Sequence, residues 1–179
     1  MGVLLANLKP LIDKKQITSK IRRIARAIDR EYAGKDLTIL MVLKGSICLV
    51  ADLIRCLSVP CEIEVVQAQS YGEKGAKRGE LQIFGLDRLD LKNRDILIVD
   101  DIFDSGKTLL TLKEAIQKKE PRSIRTLVLL SKKVSRDSTY RPDYVLFDIE
   151  NQFVVGFGLD YKEHYRNLSG IFILEEVGQ

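Results

Sequence analysis

The chain contains no tryptophan, one histidine and three cysteines. With only His164 available, histidine-based triads and multi-histidine metal centres lack material. Cys48, Cys56 and Cys61 are odd in number and show no CxxC spacing, so neither a disulfide framework nor a zinc site is indicated. Two of them fall within apolar patterns and read as small core residues. No hydrophobic run approaches the length of a membrane span. The opening MGVLLANLKP has no basic segment before its short apolar stretch and is too brief for a secretory signal, so a cytoplasmic location is expected. Repeats and low-complexity tracts are missing too. What is present is 179 residues, 45% of them apolar and 30% charged, enough for one globular domain with a real core. The formal charge of +4 is mild; it fits an anionic ligand and does not call for nucleic acid.

The most informative stretch is DILIVDDIFDSGKT, residues 95–108. An apolar run, Ile96 to Val99, stops at two carboxylates, Asp100 and Asp101. Asp104 then precedes Ser105, Gly106, Lys107 and Thr108. Beyond it Leu109, Leu112, Ala115 and Ile116 recur at helical spacing, so the order is strand, polar loop, helix. Such a loop offers backbone N–H groups at a helix N-terminus, where phosphate binds well. A nucleotide-hydrolase P-loop requires Gly five positions before the Gly of GKT; that position is Asp101, whose charge would repel a triphosphate. What remains is a loop for one phosphate monoester, flanked by three carboxylates that suit sugar hydroxyls, a metal or a proton. This combination resembles the phosphoribosyl-pyrophosphate (PRPP) motif of the phosphoribosyltransferases.

Upstream, Ile17, Ile21, Ile24, Ile28 and Tyr32 predict an amphipathic helix ending near Gly34, with Arg22, Arg23, Arg26 and Arg30 on its other faces. These arginines suit a solvated face, or contact with phosphate or a partner subunit. Leu37 to Leu43 reads as a strand covered on both faces. It ends at Lys44, Gly45 and Ser46, before a helical face of Leu49, Val50, Leu53, Ile54 and Leu57; Ser46 is placed to cap that helix, and Lys44 to hold a second phosphate group. Cys61 to Ala68 is a strand. Ser70 to Glu80 carries three glycines among charges, the composition of a plain solvent loop or of a lid that orders over substrate. Leu81 to Phe84, Ile124 to Leu130, Tyr144 to Phe147, Phe153 to Leu159 and Ile171 to Leu174 complete the predicted strands. Gly156 and Gly158 are not a dinucleotide fingerprint, because its third glycine position is Tyr161. Alternating strands and helices predict an α/β fold with a mainly parallel sheet and helices on both faces. Lys44, Tyr71, Asp100 with Asp101, Lys132 and Asp160 each follow a predicted strand end, so one cleft at the sheet's edge can collect them.

LKGSICLVADLI, SYG, ILIVDDIFDSGKTLLTL, LLSKK and FVVGFGLDYKEHYRNL occur in the order found in the 6-oxopurine salvage branch. In this the chain resembles the hypoxanthine (or hypoxanthine-guanine) phosphoribosyltransferases. The resemblance implies a type I phosphoribosyltransferase-like domain over residues 1–179, with a lid at about 70–80 and a hood from the N-terminal segment and about 150–179. It implies transfer of ribose 5-phosphate from PRPP to a 6-oxopurine, with magnesium, in a homodimer or homotetramer that binds neither nucleic acid nor membrane. By position it implies proton transfer by Asp104 and a 5-phosphate cradle of Asp104, Ser105, Gly106, Lys107 and Thr108. Asp100 and Asp101 would contact ribose hydroxyls and lie close to metal; that pair is usually Glu-Asp, so Asp100 is one carbon shorter. Lys44, Gly45 and Arg166 would hold pyrophosphate. Lys132 would donate to the purine 6-oxygen, Phe153 stack on the base and Val154 read its edge through backbone, while Asp160 would help hold both purine and magnesium. Ser70 and Tyr71 would belong to the lid. A xanthine- or guanine-preferring enzyme is one alternative. Another is an RNA-binding attenuation regulator on the same scaffold, whose loop typically lacks an aspartate at the position of Asp104.

Overall fold

The computed structural model describes residues 7–70, 81–133 and 140–175. The chain runs β1 (Asn7–Ile12), α1 (Lys14–Glu31), β2 (Leu37–Leu43), α2 (Ile47–Ile54), β3 (Cys61–Ser70), β4 (Leu81–Phe84), β5 (Asp95–Phe103), α3 (Lys107–Gln117), β6 (Ser123–Lys132), β7 (Tyr144–Ile149), β8 (Val154–Val155) and β9 (Ile171–Glu175). Six strands form the main sheet in the order β4-β3-β2-β5-β6-β7. Neighbours from β3 through β7 are parallel, and β4 is antiparallel to β3. The mainly parallel sheet expected from the alternation of strands and helices is therefore present.

Runs with no polar alternation occupy its middle, because strands buried on both faces leave no place for solvent-facing residues. Ile39, Leu97, Val99, Leu127 and Leu129 face the layer of α1 and α2, and Leu40, Val42, Ile96, Ile98 and Val128 the layer of α3. Helix α1 buries Ile17, Ile21, Ala25 and Ile28. Arg22, Arg23, Arg26 and Arg30 are exposed on it. Its N-terminus is closed by a capping box: the Gln16 N–H donates to Asp13 Oδ1 at 2.8 Å, and the Asp13 N–H donates to Gln16 Oε1 at 2.9 Å.

A second, three-stranded antiparallel sheet has the order β1-β9-β8. Strand β1 was not anticipated, since Pro10 interrupts its pattern; it is an edge strand, where a missing N–H is tolerated, and its register with β9 shifts between Pro10 and Ile12. Three local expectations are corrected. Ser46 does not cap α2: its hydroxyl donates back to the Val42 carbonyl at 2.6 Å. Strand β5 does not stop at the carboxylates but continues through them to Phe103, because β6 runs alongside and Asp100, Ile102 and Phe103 pair with Val128, Leu130 and Ser131. Of Phe153 to Leu159, Val154 and Val155 alone form a strand. Gly156 and Gly158 turn the chain at φ 99° and 101°, where any Cβ would overlap a neighbouring carbonyl, that of Gly170 or Gly45. No described helix is long and apolar enough to cross a membrane.

Replacing Asp13 with alanine removes one half of the capping box. Unfolding stability measured in urea is expected to fall by about 1 kcal/mol with an unchanged denaturant slope.

Candidate active site

A cleft of about 290 Å³ opens where β2 and β5 end. Its walls include Lys44, Gly45, Asp100, Asp101, Asp104, Ser105, Gly106, Thr108, Asp160 and Arg166. Ten of the residues singled out from sequence therefore share one space. They arrive there by different routes. Lys44 and Gly45 form the turn after β2, and the Leu43–Lys44 peptide is cis. Asp100 and Asp101 sit within β5, and Asp104 to Gly106 link it to α3. Asp160 and Arg166 come from the segment between β8 and β9, so Asp160 belongs to the small sheet's connection and not, as expected, to a strand end of the main sheet.

The turn before α3 has the character of an anion site. Gly106, at φ 80°, starts the helix without a side-chain cap, and the first turn carries no acid. A Cβ there would lie 2.7 Å from the Phe103 ring, so glycine is what lets the loop fold over β5. Within the turn the Lys107 N–H donates to Ser105 Oγ at a long 3.4 Å. Uncapped first-turn N–H groups favour phosphate.

Asp100 is 6% exposed, and its Oδ1 accepts the Asp101 N–H at 2.9 Å. Burial, then the adjacent Asp101 charge, holds the Asp100 carboxyl well above the usual carboxylate range; burial lifts Asp101 too, against the hydrogen bond from Asp100. Such a pair gains from a cation or from hydroxyl donors. Among the described residues no three His, Cys, Asp or Glu side chains converge on one point for a metal. The donor set instead suits a hard cation held by one or two carboxylates and completed by substrate oxygens, the manner in which Mg²⁺ is commonly bound.

The two cations lining the cleft, and Lys132 at its margin, each meet a carboxylate. Lys132 Nζ lies 3.4 Å from Asp104 Oδ2. Lys44 Nζ lies 3.1 Å from Glu163 Oε1, and Arg166 Nη2 is 2.8 Å from Asp160 Oδ1 and 3.3 Å from Glu163 Oε2. Arg166 Nη1 also donates to the Gly158 carbonyl at 2.7 Å. Glu163 was missed in the sequence; the one signal was its position three residues after Asp160, whose Oδ2 accepts the Glu163 N–H at 2.9 Å. The hydrogen bond from Lys44 lowers the Glu163 carboxyl below its ordinary value.

Among the described residues, Lys107, Lys132, Phe153 and Val154 are not among those lining this cleft. Lys132 reaches its margin through Asp104. Phe153 is 51% exposed, edge-on to Tyr161 with ring centroids 5.7 Å apart. Val154 is buried in the small sheet opposite Ile173. Ser70 ends β3, while Tyr71 and the rest of the expected lid lie outside the described residues.

Comparison with known proteins supports one family. A family model described as "Phosphoribosyl transferase domain" matches residues 9–162. Hypoxanthine-guanine phosphoribosyltransferase of Mycobacterium avium is 41% identical over 172 residues, covering 92% of this chain and 84% of that one. The bifunctional protein TilS/HprT of Listeria innocua is 37% identical over 167 residues, covering 93% of this chain; the chain spans about a quarter, 26%, of that longer protein. A solved structure of hypoxanthine phosphoribosyl transferase from Trypanosoma cruzi superposes with a TM-score of 0.87 at 34% identity, covering 98% of this chain and 94% of that one. Domain match, sequence identity and superposition coincide over nearly the whole chain, and the protein accordingly belongs to the phosphoribosyltransferase family.

Proposed function

We propose that the protein transfers the 5-phosphoribosyl group of PRPP to hypoxanthine and guanine, forming IMP or GMP and pyrophosphate in purine salvage. The observation that carries this reading is that one cleft brings together an acidic pair, an uncapped helix-start turn and two cations. Asp100 and Asp101 share it with Asp104, Ser105, Gly106 and Thr108 and with Lys44 and Arg166. A sugar bearing a 5-phosphate and a 1-pyrophosphate has its hydroxyls between them, where Asp100 and Asp101 accept hydrogen bonds.

In this reading the turn holds the 5-phosphate through backbone N–H groups and the Ser105 and Thr108 hydroxyls, with Lys107 adding charge. Lys44, Gly45 and Arg166 hold the leaving pyrophosphate, Arg166 as a fork that grips two oxygens. Asp104 takes or returns the proton at purine N7 as charge develops on the base. Lys132, now on Asp104, turns to the purine 6-oxygen, since an ammonium donor favours an oxo group over the amino group of adenine. Phe153 offers its exposed ring for stacking, and the backbone at Val154 and Asp160 reads the base edge. Mg²⁺ bound through Asp160 and the Asp100–Asp101 pair would neutralise charge on the pyrophosphate. The small sheet serves as the hood of one domain spanning 1–179, and Ser70 and Tyr71 belong to a lid that keeps water from the reacting sugar.

The family's association into dimers or tetramers also finds a candidate surface. Ile63 and Val65 alternate on one face of β3, Phe84 pairs with Gln67 on that same face, and all three are exposed, as is Ile47 of α2.

Purified protein with PRPP and magnesium, offered hypoxanthine, guanine, xanthine, adenine and uracil side by side, should form nucleotide from the 6-oxopurines; formation from uracil alone would overturn the reading. Asp104→Asn should lower kcat by about 10²–10⁴-fold while leaving IMP binding nearly unaltered, and normal turnover would remove Asp104 from proton transfer. Lys132→Ala should reduce the preference for hypoxanthine over adenine by roughly ten- to hundredfold, the worth of one hydrogen bond to a charged group. The double replacement of Ile63 and Val65 by lysine should lower the assembly mass in sedimentation; an unchanged mass places the interface elsewhere.

A further inference from the structure

We propose that Glu163 sets the affinity of the pyrophosphate subsite by occupying it: in the ligand-free protein its carboxylate stands between Lys44 and Arg166, in the place of the leaving group. The inference rests on the phosphoribosyl-transfer reading, which assigns those two cations to pyrophosphate.

Three features of the geometry carry it. First, the carboxylate is shared. Lys44 Nζ donates to both of its oxygens, at 3.1 and 3.2 Å, and Arg166 Nη2 lies 3.3 Å from Oε2. Two coplanar oxygens gripped by an ammonium and a guanidinium present the same pattern as two terminal oxygens of a phosphate.

Second, the segment bearing Glu163 is built to hold it there. Tyr161 and His164 exchange backbone hydrogen bonds at 3.1 and 3.0 Å, closing a two-residue tip of Lys162 and Glu163. Both tip residues have positive φ, 51° and 66°, which Asn-Gly would adopt at far lower cost. Asp160 fixes the tip from below by accepting the Glu163 N–H. A strained turn that keeps an acid in place of the easier glycine points to a use for the carboxylate.

Third, this contact can be displaced, whereas its neighbour is firmer. The side chains of Lys44 and Glu163 are 55% and 65% exposed, so water screens the pair. Arg166 and Asp160 pair at 2.8 Å with exposures of 24% and 30%. An incoming pyrophosphate group therefore removes Glu163 from Lys44 and Arg166 before it disturbs Asp160. When pyrophosphate leaves, Glu163 returns to its place against both cations, pairing Lys44 and sharing Arg166 with Asp160.

The test is titration calorimetry of the full chain with inorganic pyrophosphate, with and without magnesium, beside steady-state kinetics. Glu163→Gln keeps shape and backbone strain but loses the charge. It should bind pyrophosphate about fivefold more tightly, the scale of one exposed ion pair, and lower the KM for PRPP without raising kcat. Glu163→Ala should act in the same direction, and Glu163→Asp should fall between the parent and Glu163→Gln. Unchanged or weakened pyrophosphate affinity in Glu163→Gln, in a parent protein that forms nucleotide from PRPP, overturns the inference and leaves the phosphoribosyl-transfer reading standing. A parent protein that forms no nucleotide from any base overturns that reading itself.

Discussion

The arrangement depends on how closely three pieces of backbone approach one another. A Cβ at Gly45 would overlap the Asp101 carboxylate, and a Cβ at Gly158 would overlap the Gly45 carbonyl. The acidic pair of β5, the turn after β2 and the turn after β8 are therefore stacked with no side chain between them. Glycine is needed at both positions for a steric reason, and at Gly158 also for its positive φ. The stack brings residues from distant parts of the chain to one cleft: Lys44 from the large sheet, Asp160, Glu163 and Arg166 from the connection of the small one. Had either turn carried a side chain, the small sheet would sit farther out, and Arg166 with it.

Charge is the second organising feature. A space meant for a phosphorylated sugar must concentrate cations, and concentrated cations repel one another unless they are partnered. Here each is held by a carboxylate: Lys132 by Asp104, Lys44 by Glu163, Arg166 by Asp160. These are short-range, partly solvated contacts, weak enough for a multiply charged ligand to replace. Asp100 and Asp101 follow the opposite logic. They are enclosed, their carboxyls are pushed upward by burial, and they gain when a cation or a sugar hydroxyl enters. The same cleft thus presents groups suited to both the anionic and the hydroxyl-bearing parts of one ligand.

Much of this was legible in the residues themselves, where local chemistry and fold agree. The apolar runs of β2, β5 and β6 announced a sheet covered on both sides, because strands with no polar alternation have nowhere else to go. The spacing of Ile17, Ile21 and Ile28 marked the buried face of α1, and Asp104-Ser-Gly-Lys-Thr before a helical face marked the turn from β5 into α3. Expectations failed where a neighbour in space outweighed the local pattern. Ser46 has the identity of a cap, yet the Val42 carbonyl lay closer. Asp100 and Asp101 looked like the end of a strand, yet β6 continued to pair along that stretch, at Asp100, Ile102 and Phe103. The apolar stretch after Phe153 looked like one strand, yet Gly156 and Gly158 were needed for a turn. Pro10 disguised β1, which is tolerated as an edge.

The sequence alone determined the alternation of elements, the acidic pair and the polar turn that precedes α3, and the likeness to one enzyme family, because those follow from periodicity and from contiguous residues. Only the tertiary structure decided that Asp160 and Arg166 reach the cleft from the small sheet, that Glu163 lies across Lys44, and that Phe153 stands exposed against Tyr161. Contacts of that kind join residues more than a hundred positions apart or depend on a few degrees of turn geometry. They are set by how packed layers bring loops together, and no local preference of the residues involved encodes that meeting.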